Sequence, residues 1–176
     1  NAYNCSWTDD GTMIVAQSAG MIDLYDSKLG EKKLSYELPG ESPSFLCVAI
    51  SEFSKLGVGV SKEERGRSDL TKLVVFDLVS LETLYVNPVG AHGDVQGICV
   101  NKKGSRALIQ YSNGVLALHD ISTGLELVQL LPKSDTYVRG KIGFNQNGTE
   151  ILATRYHVGE TEPLLEILHW DFKTGN

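Results

Sequence analysis

Four histidines and three cysteines are the side chains of this chain best suited to metal or nucleophilic chemistry. A protein zinc site needs three or four such ligands at short, regular spacings, and none of the histidines has such a spacing with another histidine or with a cysteine. The sequence also lacks a Gly-x-Ser-x-Gly elbow, a Gly-x-x-x-x-Gly-Lys phosphate loop and a His-Glu-x-x-His motif. We therefore expect no metal, no cofactor and no catalytic residue. The residues are His92, His119, His157, His169, Cys5, Cys47 and Cys99.

Two pairs of acidic residues offer the other chemistry that the residue types allow. Enzymes that use paired carboxylates place one of them in an apolar pocket, which raises its pKa. Glu63 and Glu64 lie in a segment of alternating charge, residues 62–69, and Glu160 and Glu162 lie in a second loop. Neither segment has the apolar residues that such a pocket needs. We therefore predict that the chain is not an enzyme.

A dipeptide that recurs along the chain indicates its architecture. An aromatic residue or histidine precedes aspartate at four places, and the four aspartates are 51, 43 and 51 residues apart. Self-similarity at roughly 40 to 50 residues is typical of repeats that form small sheets and bury their faces against neighbouring repeats. The dipeptides are Tyr25-Asp26, Phe76-Asp77, His119-Asp120 and Trp170-Asp171.

Turn and strand signals recur in register with these aspartates. A polar residue followed by glycine favours a tight hairpin, because glycine accepts a positive φ. This signal occurs at Gly11, Gly104 and Gly148, and residues 53–55 stand in its place in the second repeat. The residues just before each aspartate are rich in apolar side chains, as in strands covered on both faces. The fourth and second residues before the aspartates are Ile22 and Leu24, Leu73 and Val75, Leu116 and Leu118, and Ile167 and His169.

At these residues the chain resembles the WD-repeat family of β-propellers, whose repeats run from a Gly-His pair through an Asp-Gly turn to a closing Trp-Asp. The resemblance covers nearly all 176 residues. It is strongest at residues 6–12 (Ser-Trp-Thr-Asp-Asp-Gly-Thr), 119–124 (His-Asp-Ile-Ser-Thr-Gly) and 170–175 (Trp-Asp-Phe-Lys-Thr-Gly). The Gly-His element occurs once, with an inserted alanine, at residues 90–95 (Gly-Ala-His-Gly-Asp-Val).

The resemblance implies a specific hydrogen-bond network in each repeat. In the family, the histidine often bonds an aspartate in the turn between the second and third strands, and that aspartate is tied onward to a Ser or Thr and to the tryptophan. In the third repeat the turn reads Ser112-Asn113-Gly114, and His119 stands where the family has tryptophan. This repeat therefore departs from the family at two members of the network.

The repeats predict one all-β domain over residues 1–176, a β-propeller of four-stranded antiparallel blades. About four blades are present, at residues 1–43, 44–93, 94–135 and 136–176. The last blade lacks its outer strand, so we predict a segment of a larger ring of six to eight blades, since unpaired lateral faces would expose apolar surface. The predicted strands are 3–8, 12–18, 21–26, 32–38, 45–51, 55–61, 71–77, 82–87, 96–101, 105–111, 115–120, 125–131, 139–145, 149–157 and 164–171.

Composition and charge narrow the setting. With 41% hydrophobic and 22% charged residues, the chain is an ordinary globular protein that can bury a core. No apolar run of about 18 residues spans a bilayer, and a net charge of −6 opposes binding to nucleic acid. The three cysteines fall on predicted first strands, which suits buried thiols in a reducing compartment. We expect an intracellular protein of the cytosol or nucleus.

Loops that depart from the repeat indicate where recognition occurs. Tight turns join the second and third strands of blades one and three, whereas blades two and four insert residues 63–70 and 158–163. In a propeller these loops share a face with the links between blades, and lengthened loops on a rigid scaffold commonly bind partners. Arginine and tyrosine are favoured interface residues. The candidate partner-binding residues on this face are Arg65, Arg67, His92, Tyr137, Arg139, Arg155 and Tyr156.

The sequence thus predicts a non-catalytic scaffold that binds a partner peptide or domain on its loop-bearing face. Two alternatives stay open. The chain could be a subunit of a multiprotein assembly that makes contact through the propeller edge, or part of a propeller hydrolase or lyase whose site lies in other blades. The identity of the partner and the oligomeric state are not encoded in any motif that we identify.

Overall fold

The computed structural model describes residues 4–7, 13–18, 21–37, 44–51, 53, 55–65, 68–89, 92–134, 140–156 and 165–171. These residues form fifteen strands in four separate antiparallel sheets. None of them lies in a helix, so no described segment forms the long apolar helix that crosses a membrane. The structure confirms the predicted all-β class.

Each sheet is a meander in which strands pair in the order of the chain. Sheet 1 contains β1 (Asn4–Trp7), β2 (Met13–Ser18), β3 (Met21–Asp26) and β4 (Lys32–Glu37). Sheet 2 contains β5 (Ser44–Ser51), β6 (Leu56–Arg65), β7 (Ser68–Asp77) and β8 (Thr83–Pro88). Sheet 3 contains β9 (Val95–Val100), β10 (Arg106–Tyr111), β11 (Leu116–Asp120) and β12 (Glu126–Leu131). Sheet 4 contains β13 (Ile142–Phe144), β14 (Glu150–Tyr156) and β15 (Leu165–Asp171).

These strands agree closely with the predicted map, apart from two differences. β13 is shorter than the predicted strand over residues 139–145. β6 and β7 are each longer than predicted, because they continue into the segment that the sequence assigns to an inserted loop. In sheet 4 the described residues supply three strands, as predicted for the last repeat.

Both faces of sheet 2 are covered. Along β7, Leu73 and Val75 belong to the apolar cluster shared with sheet 3, whereas Val74 and Phe76 belong to the cluster shared with sheet 1. All four side chains are almost fully buried. Since alternate side chains of a strand point to opposite faces, a continuous apolar run is what a doubly covered strand requires. Each such side chain stabilises the fold by about 1.5 to 3 kcal/mol.

Sheet 3 repeats this arrangement between sheets 2 and 4. On β10, Ala107 and Ile109 pack toward sheet 2, and Leu108 packs toward sheet 4 against Ile151 and Ala153. The sheets therefore stack in chain order. Between sheets, the first strands lie close together: β5 lies beside β9, and β9 lies beside β13. Sheets 2, 3 and 4 therefore approach one another most closely along their first strands, whereas β2 of sheet 1 lies beside β5.

In sheets 1, 2 and 3, the residues two and four positions before the recurring aspartate point toward the following sheet. Ile22 and Leu24 are buried against sheet 2, and their equivalents in sheets 2 and 3 are buried in the same way. In sheet 4 the equivalent residues are Ile167 and His169. Ile167 is 72% exposed, because no described sheet covers this face of sheet 4.

The recurring aspartates hold the turns between third and fourth strands. The Asp26 carboxylate accepts the backbone N–H groups of Lys28 and Leu29, and Asp77 and Asp120 accept backbone N–H groups in the same way. These hydrogen bonds favour the ionised form, so they lower the pKa of Asp26 and Asp77 below the ordinary value. The aspartate that recurs in the sequence therefore marks the residue that caps each of these turns.

The same turns require a left-handed residue four positions after the aspartate. Gly30 and Gly124 occupy this position with φ of 67° and 71°, and Leu81 occupies it in sheet 2 with φ of 60°. In all three turns the N–H of this residue donates to the carbonyl oxygen of the aspartate. Two of the three turns therefore use glycine where the backbone needs it.

Gly57 lies under an aromatic ring of its own sheet. The sequence predicts a close approach of neighbouring sheets at Gly57 and Gly59. A Cβ atom on Gly57 would lie 2.1 Å from Cζ of Phe76, which is the cross-strand partner of Gly57 on β7. The Phe76 ring in turn stacks on Tyr36 of sheet 1, with centroids 4.0 Å apart. The glycine thus makes room for a ring that joins two sheets.

The Gly30→Ala substitution tests the left-handed turn. It should lower the free energy of unfolding by about 1 to 2 kcal/mol, because a Cβ atom disfavours the left-handed region. Gly30 has no neighbouring atom within 4 Å of a built Cβ, so a clash would not contribute. Urea unfolding measures the effect. Lys28→Ala, in the same exposed turn, should change stability by less than about 0.5 kcal/mol. Equal losses in the two variants would contradict the backbone explanation.

The Gly57→Ala substitution tests the junction of sheets 1 and 2. It should destabilise the protein by about 1 to 3 kcal/mol, since the added methyl group displaces the Phe76 ring. In the Gly57→Ala, Phe76→Leu double variant the two losses should be less than additive, as a urea double-mutant cycle would show. Gly143→Ala is the matched control, because its Cβ would have no atom within 4 Å. Strict additivity would rule out the proposed contact.

Candidate interaction surfaces

The links between sheets and the turns between second and third strands meet at one end of the stack, which we call the link end. The N–H of Ser112 donates to the carbonyl of Asp94 (2.7 Å), and the N–H of Ser134 donates to the carbonyl of Asn113 (3.2 Å). The Asn113 amide also donates to the carbonyl of His92. Links on both sides of sheet 3 are therefore fastened to its central turn, as the sequence predicts for loops that share a face.

An ion pair connects sheet 2 to the link end. Nζ of Lys62, near the middle of β6, lies 3.2 Å from Oδ1 of Asp94 in the link to sheet 3. Beyond β13, the N–H of Thr154 donates to the carbonyl of Lys141, and the Lys141 N–H returns a bond to Oγ1 of Thr154. Hydrogen bonds and an ion pair thus hold the links and turns of the link end together as a rim.

A polar network runs from partly exposed His92 and Glu126 to buried Tyr111 and His119, along the face of sheet 3 that sheet 2 covers. Nε2 of His92 lies 2.7 Å from Oε2 of Glu126, and its ring meets Tyr111 edge-on at a centroid distance of 5.1 Å. The Tyr111 hydroxyl lies 3.3 Å from Nε2 of His119, and Nδ1 of His119 lies 3.2 Å from the carbonyl oxygen of Gly124. These four side chains connect the Gly-His element to the residue that replaces tryptophan.

Burial sets the ionisation of this network. His119 and Tyr111 are completely buried. Desolvation lowers the pKa of His119, and this effect outweighs the hydrogen bond that the His119 ring donates to the carbonyl oxygen of Gly124 and the charge of Glu126, both of which raise it. Desolvation, followed by the charge of Glu126, raises the pKa of Tyr111. Both groups are therefore neutral at pH 7, which makes the network a structural element of the core.

β6 and β7 include residues 63–65 and 68–70, which the sequence assigns to an inserted loop, so these six residues are strand where a loop is predicted. β6 and β7 stay paired up to Arg65 and Ser68, whereas the pairing of β5 with β6 ends at Lys62 and that of β7 with β8 ends at Lys72. The last three pairs therefore project beyond the sheet as a two-stranded ribbon. At about 3.4 Å per residue, the ribbon extends the link end by about 10 Å.

The structure brings four of the seven predicted partner-binding residues to the link end or its links. Arg65 ends β6, Tyr156 ends β14, and His92 lies in the link between sheets 2 and 3. Arg155 precedes Tyr156, and its guanidinium pairs with Glu166 across β14 and β15. His92 and Arg155 are thus engaged within the protein. Three other residues, Arg67, Tyr137 and Arg139, and the second insertion at residues 158–163 lie outside the described residues.

The opposite end of the first strands carries a surface that sequence reasoning missed. We call it the turn groove: two adjoining clefts of about 450 and 410 Å³ that share Lys102 and Gln146. One cleft lies between β9 and β13 and has Val100 and Phe144 in its wall. The other crosses the turn tips and includes Phe53, which is 71% exposed. An aromatic residue inside a predicted turn was the available signal.

Within the described part of the chain, no three His, Cys, Asp or Glu side chains are grouped so that they could hold a metal ion. Cys47 and Cys99 are free thiols on first strands, as predicted, and burial raises the pKa of Cys47 to about 12. Comparison with protein-family models and with curated proteins finds no match for the chain. The resemblance to WD-repeat propellers therefore stays a prediction from the residues.

The lowered pKa of His119 predicts a pH dependence of stability. The unfolded chain binds a proton at about pH 6.5, whereas the folded protein binds it only at lower pH. Stability should therefore be full above about pH 6.5 and fall as the pH drops through the folded pKa. Thermal unfolding measured at intervals from about pH 8 to about pH 5 would record this fall. His119→Phe should flatten the profile, and the exposed control His169→Phe should not. A profile unchanged by His119→Phe would refute the assignment.

Proposed function

We propose that this protein is a non-catalytic interaction scaffold of the WD-repeat propeller type, which binds a peptide or domain of a partner protein at the link end. The observation that carries the proposal is the ribbon formed by β6 and β7, which projects from a doubly covered sheet. Its base is rigid, because β7 is buried on both sides of sheet 2. A projecting element on a fixed base presents the same surface to every partner.

Two features support a propeller. The sheets stack in chain order with their first strands closest, as blades do around an axis. The uncovered face of sheet 4 also exposes Ile167, whose equivalents in the other three sheets, Ile22, Leu73 and Leu116, are fully buried. We propose that a further blade of a six- to eight-bladed ring covers Leu152 and Ile167. The buried thiol of Cys47 suits a reducing compartment, so we propose an intracellular location in the cytosol or nucleus.

The ribbon has the properties of a docking element. Its residues have no strand partner on their outer edges among the described residues, so their outward N–H and C=O groups can pair with an added strand. Its sequence, with Glu63, Glu64 and Arg65 on one strand, alternates charge and so favours polar partners over self-association. The neighbouring rim of links, fixed by Asp94 and Asn113, would give a partner a second area of contact.

A second candidate is assembly through the uncovered face of sheet 4. Leu152, Leu165 and Ile167 are each about half exposed or more, at 47%, 51% and 72%. Contiguous exposed apolar side chains mark association surfaces. In that case the protein would be a subunit of a multiprotein assembly. Lys32 and Lys33 lie on β4, the outer strand of sheet 1, and crosslinks from them would show whether the propeller edge also contacts other subunits.

Shortening the ribbon tests the link-end proposal. Replacing residues 63–70 with Asn-Gly joins the paired residues Lys62 and Thr71 by a two-residue hairpin turn. The melting temperature should change by less than about 4 °C, because the removed pairs lie beyond the covered part of the sheet. Affinity capture with quantitative mass spectrometry should show loss of the partners that the unchanged protein retains.

The control for this experiment is Lys28→Ser with Lys33→Ser, two exposed changes on sheet 1 that should leave the captured proteins unchanged. If the shortened variant captures the same partners as the unchanged protein, the ribbon is not the docking element. Loss of partners together with early unfolding would show that the ribbon is structural and would also reject the proposal.

A further inference from the structure

The turn groove is built from three turns that belong to three different sheets. Phe53 comes from the turn between β5 and β6, Lys102 and Lys103 come from the turn between β9 and β10, and Gln146 and Asn147 come from the turn between β13 and β14. Its deeper cleft reaches down between the first strands to Cys99, Val100, Gly143 and Phe144. The groove therefore has an apolar floor and a polar rim.

Hydrogen bonds fix the shape of two of these turns. Oδ1 of Asn101 accepts the N–H groups of Ser105 and Arg106, at 2.9 and 3.0 Å, and its amide donates to Oγ of Ser105. Asn145 makes the same three bonds with Thr149 and Glu150. A ligand would therefore meet a preorganised surface, which reduces the entropy lost on binding.

Contacts between the turns fix their relative positions. Oγ of Ser51, at the end of β5, donates to the carbonyl of Lys102 at 2.7 Å. A Cβ on Gly148 would lie 3.4 Å from the Cβ of Asn101, so the turns of sheets 3 and 4 are in van der Waals contact. The groove is thus a property of the stack and forms only when the three sheets are assembled.

Among the described residues that line the groove, the charged ones are both lysines, Lys102 and Lys103. Nζ of Lys102 lies 5.7 Å from the centroid of the Phe53 ring, within the range of a cation–π interaction. Neither Lys102 nor Lys103 makes an ion pair with another described residue, and both are exposed. This cationic patch lies on a chain of net charge −6. Its charge favours an anionic ligand, and its apolar floor favours one that also carries an apolar group.

We propose that the turn groove binds an acidic segment of a partner protein. One large apolar side chain of the segment enters the cleft between Val100 and Phe144, and the flanking carboxylates pair with Lys102 and Lys103. The amides of Gln146 and Asn147 are placed to bond the backbone of the segment. This surface lies on the opposite end of the first strands from the ribbon, so it is independent of the link-end docking proposed above.

A protein segment suits the groove better than a nucleic acid does. Binding to a nucleic acid depends on many basic groups that neutralise successive phosphates, whereas the groove offers two lysines beside an apolar cleft. A base could stack on Phe53, but the described lining of the groove offers no cation beyond Lys102 and Lys103 to hold a following phosphate. A single-stranded oligonucleotide is therefore a comparison ligand in the experiment.

Fluorescence anisotropy on the full chain tests the proposal with a labelled peptide. The peptide has about nine residues, so that at about 3.4 Å per residue it can reach across both clefts. The peptide carries Asp and Glu on both sides of one leucine. Two comparison peptides replace the acids by their amides or the leucine by serine, and oligodeoxythymidine serves as the polyanion. We expect the acidic leucine peptide to bind with a Kd below about 1 mM, and each comparison ligand to bind at least about tenfold more weakly.

Variants locate the binding. Lys102→Glu with Lys103→Glu should weaken the peptide by more than about tenfold, and Phe53→Ala by about threefold or more. The matched control is Lys133→Glu with Lys141→Glu, which makes the same change in net charge away from the groove and should leave the affinity within about twofold. The shortened ribbon variant should bind the peptide normally, so failure of one proposal does not imply failure of the other.

Several results would overturn the proposal. They are no binding up to about 1 mM, equal binding of the amide peptide, tighter binding of the oligonucleotide, or equal losses in the two double-lysine variants. If the Lys102→Glu, Lys103→Glu variant fails to fold by circular dichroism, Phe53→Ala decides, since it removes an exposed ring without changing charge. Unchanged binding by a folded Phe53→Ala variant would also reject the site.

Discussion

The covering of apolar sheet faces is the constraint on which this structure depends. Sheets 2 and 3 have buried side chains on both faces, so neither could be stable in water alone. Leu73 and Val75 on β7 face Ala107 and Ile109 on β10, and Leu108 on the other face of β10 meets sheet 4. Each sheet thus completes the core of the next, as in repeat proteins whose stability lies in the interfaces between repeats. A local change at one interface is therefore felt by two sheets.

This constraint decides where recognition can occur. Because the broad faces of the inner sheets are used for stacking, recognition in the described part of the chain falls to the two ends of the strands, the outer strands and the outward faces of sheets 1 and 4. The repeated turns are stiffened by Asp77, Asp120, Asn101 and Asn145, which cap their backbones. The features that depart from the repeat are the ribbon of β6 and β7 and the turn that carries Phe53. These two features make the surface of this protein different from that of a regular repeat.

The sequence predicts most of the strands because the signals are local. Glycine turns and the aspartates mark strand ends, and unbroken apolar runs mark doubly covered strands. The ribbon escaped prediction because its residues extend past the pairing of the neighbouring strands, and no apolar alternation in the sequence marks Glu63 or Glu64 as strand. The turn groove escaped for a different reason. Its residues are far apart in the sequence, since Lys102 follows Phe53 by 49 residues and Gln146 follows Lys102 by 44. Only the stacking of the sheets brings them together. His119 was recognised as a departure from tryptophan, but its partners Tyr111 and Glu126 have no motif.

Leu81 shows how strongly the stack can override local preference. The turn after β7 needs a left-handed residue where the equivalent turns have Gly30 and Gly124, and a leucine there costs about 1 to 2 kcal/mol of backbone strain. The Leu81 side chain packs against the apolar cluster that joins sheets 1 and 2, and fully burying a leucine contributes about 1.5 to 3 kcal/mol. Partial burial can therefore offset most of the strain. A turn that local chemistry would assign to glycine is thus held in place by a contact between sheets 1 and 2.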